Sequence, residues 1–280
     1  MIWLYSLLAI IVFIYAVKAV ILYRRQGEHV YNPRREFTGT PADVGLEFED
    51  IHFRSTDNTL LHGWFCPISH GNKAILLFHG NTGNISDCMG SLKMFADMGY
   101  SSFVFDYRGY GHSEGQPNEQ GTYHDAEAAW DWLLREKHYA PNDVVIIGRS
   151  LGAAIASHLA CRHQAAAVVL ESTFTSLPDI AAETHRLVPA RLMTRFNYNT
   201  LERIAGIHSP ILIVHGKEDR VIGFHHGERL YASANEPKTF LEIAGNHATG
   251  FIDSGEKYTR GLQEFLQRYT SKDSSNIQDL

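Results

Sequence analysis

The sequence predicts an α/β fold: a mostly parallel central sheet with helices on both faces, an antiparallel hairpin at its N-terminal edge and a small cap-like insertion. Three observations predict it. From residue 73 onward, short apolar runs alternate with stretches of helical spacing, and such alternation implies parallel strands joined by helical crossovers. Those apolar runs lack the polar–apolar alternation of a half-exposed strand, so both faces of each strand should be covered. At one strand-to-helix junction, "VVIIGRSLGAAIA" (Val144 to Ala156), a serine stands between two glycines. Packing alone does not call for a serine there.

The chain opens on "MIWLYSLLAIIVFIYAVKAVILY", apolar apart from Ser6 and Lys18. About 20 such residues span a bilayer core, and a lysine near one end can snorkel to the headgroups. Arg24, Arg25, Arg34 and Arg35 follow, and no Lys or Arg precedes the run. The positive-inside rule then sets the remainder of the chain on the cytoplasmic side. A cleaved signal peptide is the competing reading. It lacks a basic n-region, the run is long for an h-region, and Val17 and Ala19 offer only a weak cleavage site. A buried core helix is disfavoured because the run is apolar all round. Residues 1–23 are therefore expected as a single-pass transmembrane anchor. Residues 24–44 are expected as a polar connector containing Pro33, Gly39 and Pro41.

The main domain is expected over residues 45–270. "LEFEDIHFRS" alternates, "DN" at 57–58 reads as a turn, and "TLLHGWFCP" returns, which predicts a hairpin. Strands are then expected at 73–80, 101–109, 143–148, 166–172, 210–216 and 238–245. Helices are expected at 84–98, 120–137, 151–162, 222–233 and 254–269. Between "VLES" and "PILIVHG" lies an irregular stretch, about 173–208, with Pro178 and Pro189 but no strand pattern. It reads as short helices inserted over the sheet. The tail 271–280, "SKDSSNIQDL", is polar and expected to fray.

Composition removes several function classes. The net charge of -6 comes from scattered residues, without the basic stripe of a nucleic-acid binder. Cys66, Cys88 and Cys161 are odd in number and far apart, so neither a disulfide framework nor a metal-ligand spacing is present. Sixteen histidines form no HExxH-like cluster, and the pair His225–His226 reads as solvated surface. No cofactor and no metal is expected.

Ligands of an open parallel sheet sit at the C-terminal ends of its strands. The run "GRSLG" is G-x-S-x-G between a strand and a helix, the context in which that motif presents a nucleophile. Gly148 and Gly152 permit a turn in which a side chain would clash, and Ser150 is raised above the sheet. The helix that follows favours negative charge at its N-terminus. A serine needs a base, and the base needs an orienting acid, in the order serine, acid, histidine. "PILIVHGKEDRVI" offers Glu218 and Asp219, and "FLEIAGNHATGF" offers His247. Glu171 is a rival acid; His208 and His215 also lie nearby, and His215, at the strand's end beside Gly216, fits packing better. Backbone donors for an oxyanion are expected from Leu151, which follows the serine, and from Asn81 in the loop His79-Gly80-Asn81. There Gly80 allows close approach and His79 is structural. The glycine-rich "DYRGYGHSEG" lacks the Lys-Ser/Thr ending of a phosphate loop, so Asp106 and Arg108 read as supports.

"LFHGNTGNI", "FDYRGYGHSEG", "IGRSLGAA", "LESTFTS", "VHGKEDRVI" and "GNH" follow one another in the order of the α/β-hydrolase superfamily. The chain resembles its branch of membrane-anchored serine hydrolases over about residues 45–268 plus the N-terminal run. That branch includes depalmitoylase-like thioesterases. The resemblance implies Ser150 as nucleophile, Asp219 as acid, His247 as base, and Asn81 and Leu151 as oxyanion donors. Close relatives often read His-Asn-Asp where this chain reads His247-Ala248-Thr249, a departure that bears on substrate preference. Serine at the elbow implies acyl transfer to water rather than the chemistry of an aspartate or cysteine there. The expected activity is cleavage of a small acyl ester or thioester, lipid-derived ones included, by a membrane-anchored serine hydrolase. A prolyl-oligopeptidase-like peptidase would carry a large added domain. A silent membrane-bound scaffold would not need Ser150, Asp219 and His247 together.

Overall fold

The computed structural model describes residues 2–69, 71–247 and 250–270. At its centre is an eight-stranded sheet. The strands are β1 (Glu49–Arg54), β2 (Leu60–Cys66), β3 (Ala74–Phe78), β4 (Ser101–Asp106), β5 (Val144–Arg149), β6 (Ala167–Glu171), β7 (Ile211–Gly216) and β8 (Lys238–Ile243). Their spatial order is β1-β2-β4-β3-β5-β6-β7-β8. The pairs β1–β2 and β2–β4 are antiparallel and all other pairs are parallel. The expected mixed sheet with a hairpin at its N-terminal edge is thus the observed one. Each expected strand is present, with its ends within three residues of those expected.

Helices α1 (Ile2–Arg24) and α2 (Gln26–Val30) precede the sheet. The crossovers α3 (Met89–Asp97), α4 (Glu119–Arg135) and α5 (Leu151–Ala160) follow. The 173–208 stretch folds as α6 (Leu177–Thr184), α7 (Ala190–Met193) and α8 (Thr200–Ile204). The chain continues through α9 (Phe224–Ser233), α10 (Gly250–Asp253) and α11 (Gly255–Thr270). Successive strand residues point to opposite faces, and here both faces are apolar. Leu76, Ile146, Val168 and Ile213 pack with Leu133 of α4, Leu159 of α5 and Leu230 of α9. Their chain neighbours Leu77, Ile147, Val169 and Val214 pack with Phe95 of α3 and Leu262 of α11. This two-sided burial is why the strand text reads as unbroken apolar runs. Register sets the strand ends level: Phe78 pairs with Gly148, Arg149 with Glu171, and Gly216 with Ile243. The loops that leave these ends therefore meet at one edge of the sheet.

The stretch expected as a polar connector is more than a link. Asn32–Pro33 pairs in parallel with Thr82–Gly83, and the Asn32 N–H donates to the Asn81 carbonyl at 2.9 Å. Tyr31 is buried, with its hydroxyl 2.8 Å from that of Tyr198. Arg35 donates to the Gly111 and Ser113 carbonyls. Local composition does not predict this order, because every one of these contacts is with a distant part of the chain. Helix α1 differs in burial: Trp3–Arg24 is long and apolar enough to cross a membrane, and none of its most apolar window is buried. Ala248, Thr249 and the tail 271–280 lie outside the described residues.

Candidate active site

β5 ends in the turn expected of it. Ser150 has φ 54° and ψ -120°, a conformation that a non-glycine residue holds only when its surroundings enforce it. A Cβ on Gly152 would lie 2.3 Å from the carbonyl oxygens of both Phe78 and His79, and one on Gly148 would lie 2.5 Å from Ala153 Cα. The two glycines thus let β3 and α5 close around the serine. The Ser150 N–H donates to the Glu171 carbonyl at 2.8 Å, and Thr173 Oγ1 donates to the Ser150 carbonyl at 3.0 Å. These bonds lock the turn and leave the hydroxyl facing out.

The loops after β7 and β8 bring two more of the expected groups to this hydroxyl. His247 Nε2 lies 3.0 Å from Ser150 Oγ, and His247 Nδ1 lies 2.7 Å from Asp219 Oδ2. The other carboxylate oxygen of Asp219 accepts the N–H groups of Val221 at 2.9 Å and Ile222 at 2.8 Å. A carboxylate acceptor on Nδ1 fixes the tautomer: Nδ1 carries the proton and Nε2 accepts from the serine. Burial raises the proton affinity of Asp219, but the His247 hydrogen bond and the two N–H donors outweigh it and hold the carboxyl below its usual range. Glu218 takes a different part, accepting the Gly245 N–H at 2.8 Å and bracing the loop before His247. Glu171 points away, paired with Arg149 at 2.8 Å and accepting the Tyr258 hydroxyl. His215 lies under the acid, donating Nε2–H to the Ile222 carbonyl at 2.8 Å. Burial pushes its pKa down and keeps it neutral.

Asn81 and Leu151 both face the cavity that holds Ser150. Sequence reasoning gave His79 only a general structural place, and its part is specific. Its Nδ1 lies 2.7 Å from the Gly80 carbonyl. That carbonyl shares a peptide plane with the Asn81 N–H, so the ring sets where the N–H points. Burial drives the His79 pKa down, leaving a neutral ring able to donate this one bond. The Tyr110 hydroxyl holds the Asn81 carbonyl at 2.8 Å, and Tyr107 holds that of His79 at 3.0 Å. The expectation for Gly80 needs adjusting: a Cβ there would meet Ser150 Cβ at 3.8 Å, an ordinary contact. Asp106 and Arg108 have supporting partners, Asp106 accepting the Ile85 N–H and Arg108 pairing with Asp125 and Asp57.

The cavity at the serine measures about 480 Å³, within the range of small-molecule sites. Its floor is Ser150, Leu151, Asn81 and His247. Its walls come from outside the sheet: Leu22 of α1, Val30 at the end of α2, Leu177 and Ile180 of α6, and Met193 of α7. The N-terminal helices were not expected to contribute, and nothing in their local sequence marks them as pocket wall.

The expectation that His225–His226 is solvated surface fails for one of the two. His225 is exposed but His226 is fully buried, with Nδ1 2.9 Å from Thr175 Oγ1 and Nε2 3.3 Å from Glu183 Oε2. Position on α9 explains the difference, since adjacent helical residues point about 100° apart. Among the described residues, Glu183, His225 and His226 have ligand atoms within 4.8 Å of one another, close enough to hold a cation. None of the three lines the serine cavity.

The strand order, with the strained serine at the end of the fifth strand, defines the α/β-hydrolase class of fold. A family model described as the alpha/beta hydrolase fold matches residues 73–274, and the chain belongs to that family. An uncharacterized protein of Mycobacterium tuberculosis is 33% identical over 261 residues, covering 92% of this chain and 93% of its own. The alpha/beta hydrolase domain-containing protein WAV2 of Arabidopsis thaliana is 34% identical over 253 residues, covering 82% of each chain. Among solved structures, a Pyrococcus furiosus esterase superposes with a TM-score of 0.73 at 20% identity, over 86% of this chain and 98% of its own.

Proposed function

We propose that the protein is a membrane-anchored serine hydrolase that cleaves acyl esters or thioesters. One observation carries the reading: a single histidine bridges a serine hydroxyl at 3.0 Å and a carboxylate at 2.7 Å, at the floor of a largely apolar cavity. Ser150 Oγ attacks the acyl carbon while His247 Nε2 takes its proton. The carbonyl oxygen becomes an oxyanion that accepts from the Asn81 and Leu151 N–H groups. Nε2 returns the proton to the departing alkoxide or thiolate, leaving an acyl group on Ser150. Water, deprotonated by the same nitrogen, then attacks the acyl-enzyme and releases the acid. Asp219 keeps the ring in the accepting tautomer and stabilises the imidazolium. No step calls for a cofactor or metal.

The family membership and the esterase-like fold agree with this chemistry, and serine at the elbow favours acyl transfer. Helix α1 is read as the anchor: 22 residues at about 1.5 Å each match the roughly 30 Å hydrocarbon core. The arginines after it favour a cytoplasmic catalytic domain. A fluorophosphonate probe tests the nucleophile. We expect one adduct, on Ser150, absent in Ser150→Ala and strongly reduced in His247→Ala. Folded wild-type protein that takes no label would overturn the reading. Protease protection in sealed vesicles tests orientation, and a domain cleaved only from the outer side would reverse it.

A further inference from the structure

We infer that the cap segment from His185 to Arg195 is embedded in the same membrane leaflet as the C-terminal half of α1, and that the Ser150 cavity admits acyl chains from that leaflet. The inference rests on reading α1 as a membrane span. Three contacts climb from the start of α2 into α1 like rungs. At the base, Gln26 donates to the Met193 carbonyl and accepts the Arg195 N–H, each at 2.7 Å. Next, the Arg195 guanidinium lies 5.6 Å over the Tyr23 ring. Highest, the Tyr15 hydroxyl donates to the Leu187 carbonyl at 2.7 Å. Tyr15 stands nine positions before Arg24, which is about 13 Å along the axis. With Arg24 at the headgroups, Leu187 lies within the acyl region.

The side chains of the segment suit that depth. Leu187 and Leu192 are each 89% exposed, which is extreme for leucine in water but ordinary against lipid. Arg186, Arg191 and Arg195 are exposed around them; Arg191 is paired with Asp179 at 2.7 Å, while Arg186 and Arg195 are long enough to reach phosphates. The Tyr15–Leu187 bond has the same logic. A lone hydroxyl and a loop carbonyl inside hydrocarbon lack water, and each satisfies the other. This gives the Tyr15 hydroxyl a partner at a depth where it would otherwise lack one. The cavity completes the picture, because Leu22 of α1, Val30 and Met193 form its wall. An acyl chain leaving the leaflet between α1 and the cap reaches Ser150 without crossing water.

The test uses the full-length protein in phosphatidylcholine vesicles containing phosphatidylglycerol. In a Cys161→Ser background, where Cys66 and Cys88 are buried, Leu187→Cys and Leu192→Cys each carry an environment-sensitive fluorophore. Glu136→Cys is the control on α4's far end. Nitroxide-bearing lipids should quench the labels at 187 and 192, and aqueous iodide should not, with the reverse at 136. Iodide quenching at 187 in protein that resists carbonate extraction would overturn the inference while leaving the anchor intact. Release by carbonate would overturn the anchor and the inference together. In a second arm, Leu187→Asp/Leu192→Asp should lower kcat/KM at least tenfold for a long-chain methylumbelliferyl ester dissolved in the vesicles. Hydrolysis of water-soluble p-nitrophenyl acetate should be unchanged. Equal activity on both substrates would refute entry from the leaflet, and loss of both would refute an effect confined to entry.

Discussion

Asp219→Asn is a sharp test of the site because the two sides of the carboxylate make unequal demands. Oδ1 accepts two backbone N–H groups, at 2.9 and 2.8 Å, and Oδ2 accepts one ring N–H at 2.7 Å. An asparagine has one accepting oxygen. Turned toward Val221 and Ile222, it satisfies two donors and presents its NH2 group to His247. Turned toward His247, it sets its NH2 against two N–H groups at once. The first orientation wins by one hydrogen bond and by the avoided opposition of donors, each worth about 1 kcal/mol or more. His247 must then accept at Nδ1, which forces its proton onto Nε2. That nitrogen can no longer take the proton of Ser150. The same tautomer error in a serine protease lowers kcat by about 10⁴, equivalent to about 5.5 kcal/mol of barrier. Initial rates on p-nitrophenyl butyrate would measure it, with a thermal melt confirming that the fold is kept. A kcat within tenfold of wild type, in a folded variant, would refute the tautomer argument and with it the role proposed for Asp219.

Gly152→Ala places a Cβ 2.3 Å from two carbonyl oxygens of β3 and its loop. Overpacking of this severity should cost about 3 kcal/mol or more, seen as a drop of about 6 °C or more in Tm with loss of fluorophosphonate labelling. An unchanged melt would contradict the packing described. His158 lies stacked on Tyr123, and burial, then Arg203 and Arg162, depresses its pKa to about 4. The unfolded chain takes that proton near 6.5. Between those values the unfolded state binds more protons, so this contribution is complete above about pH 6.5 and is lost as pH falls toward 4. After solvent screening it should amount to about 1–2 kcal/mol. Urea melts at pH 7 and 4.5 should show a smaller difference in His158→Gln than in wild type, and an equal difference would contradict the assignment. Dialysis against EDTA should leave ester hydrolysis within twofold of its starting value, and a loss restored by zinc would contradict a metal-free mechanism.

The sheet was legible because its strands are buried on both faces. Ile146 and Ile147 serve different cores, so the text is apolar without a break, and a polar loop has to announce each end. The elbow was legible for a related reason: only a turn wedged between β3 and α5 requires glycine at both 148 and 152. Glu218 and Asp219 are a harder case. Both follow β7, and both end on backbone N–H groups of the site loops. Local sequence makes them equivalent, and the family pattern was needed to prefer one. What separates them is the direction of the turn. Asp219 donates its own N–H back to the Gly216 carbonyl, which swings its carboxylate beneath His247. The buried half of the His225–His226 pair was missed because its partner Glu183 belongs to the cap.

The residues that set the chemistry and the residues that set what reaches it come from different parts of the chain. Ser150, Asp219 and His247 follow β5, β7 and β8, whose register is fixed by hydrogen bonds and by two apolar cores. Their spacing is therefore inherited from the sheet. The cavity walls come instead from α1, α2 and the cap, which the sheet does not position. They are held by a thin set of long-range bonds: Asn32 to Asn81, Tyr31 to Tyr198, and Gln26 to Met193 and Arg195. The Asn32 bond joins the two systems, since it ends on the carbonyl of Asn81, a residue that also lines the cavity. A displacement of the N-terminal segment therefore bears directly on the loop that carries Asn81 at the cavity.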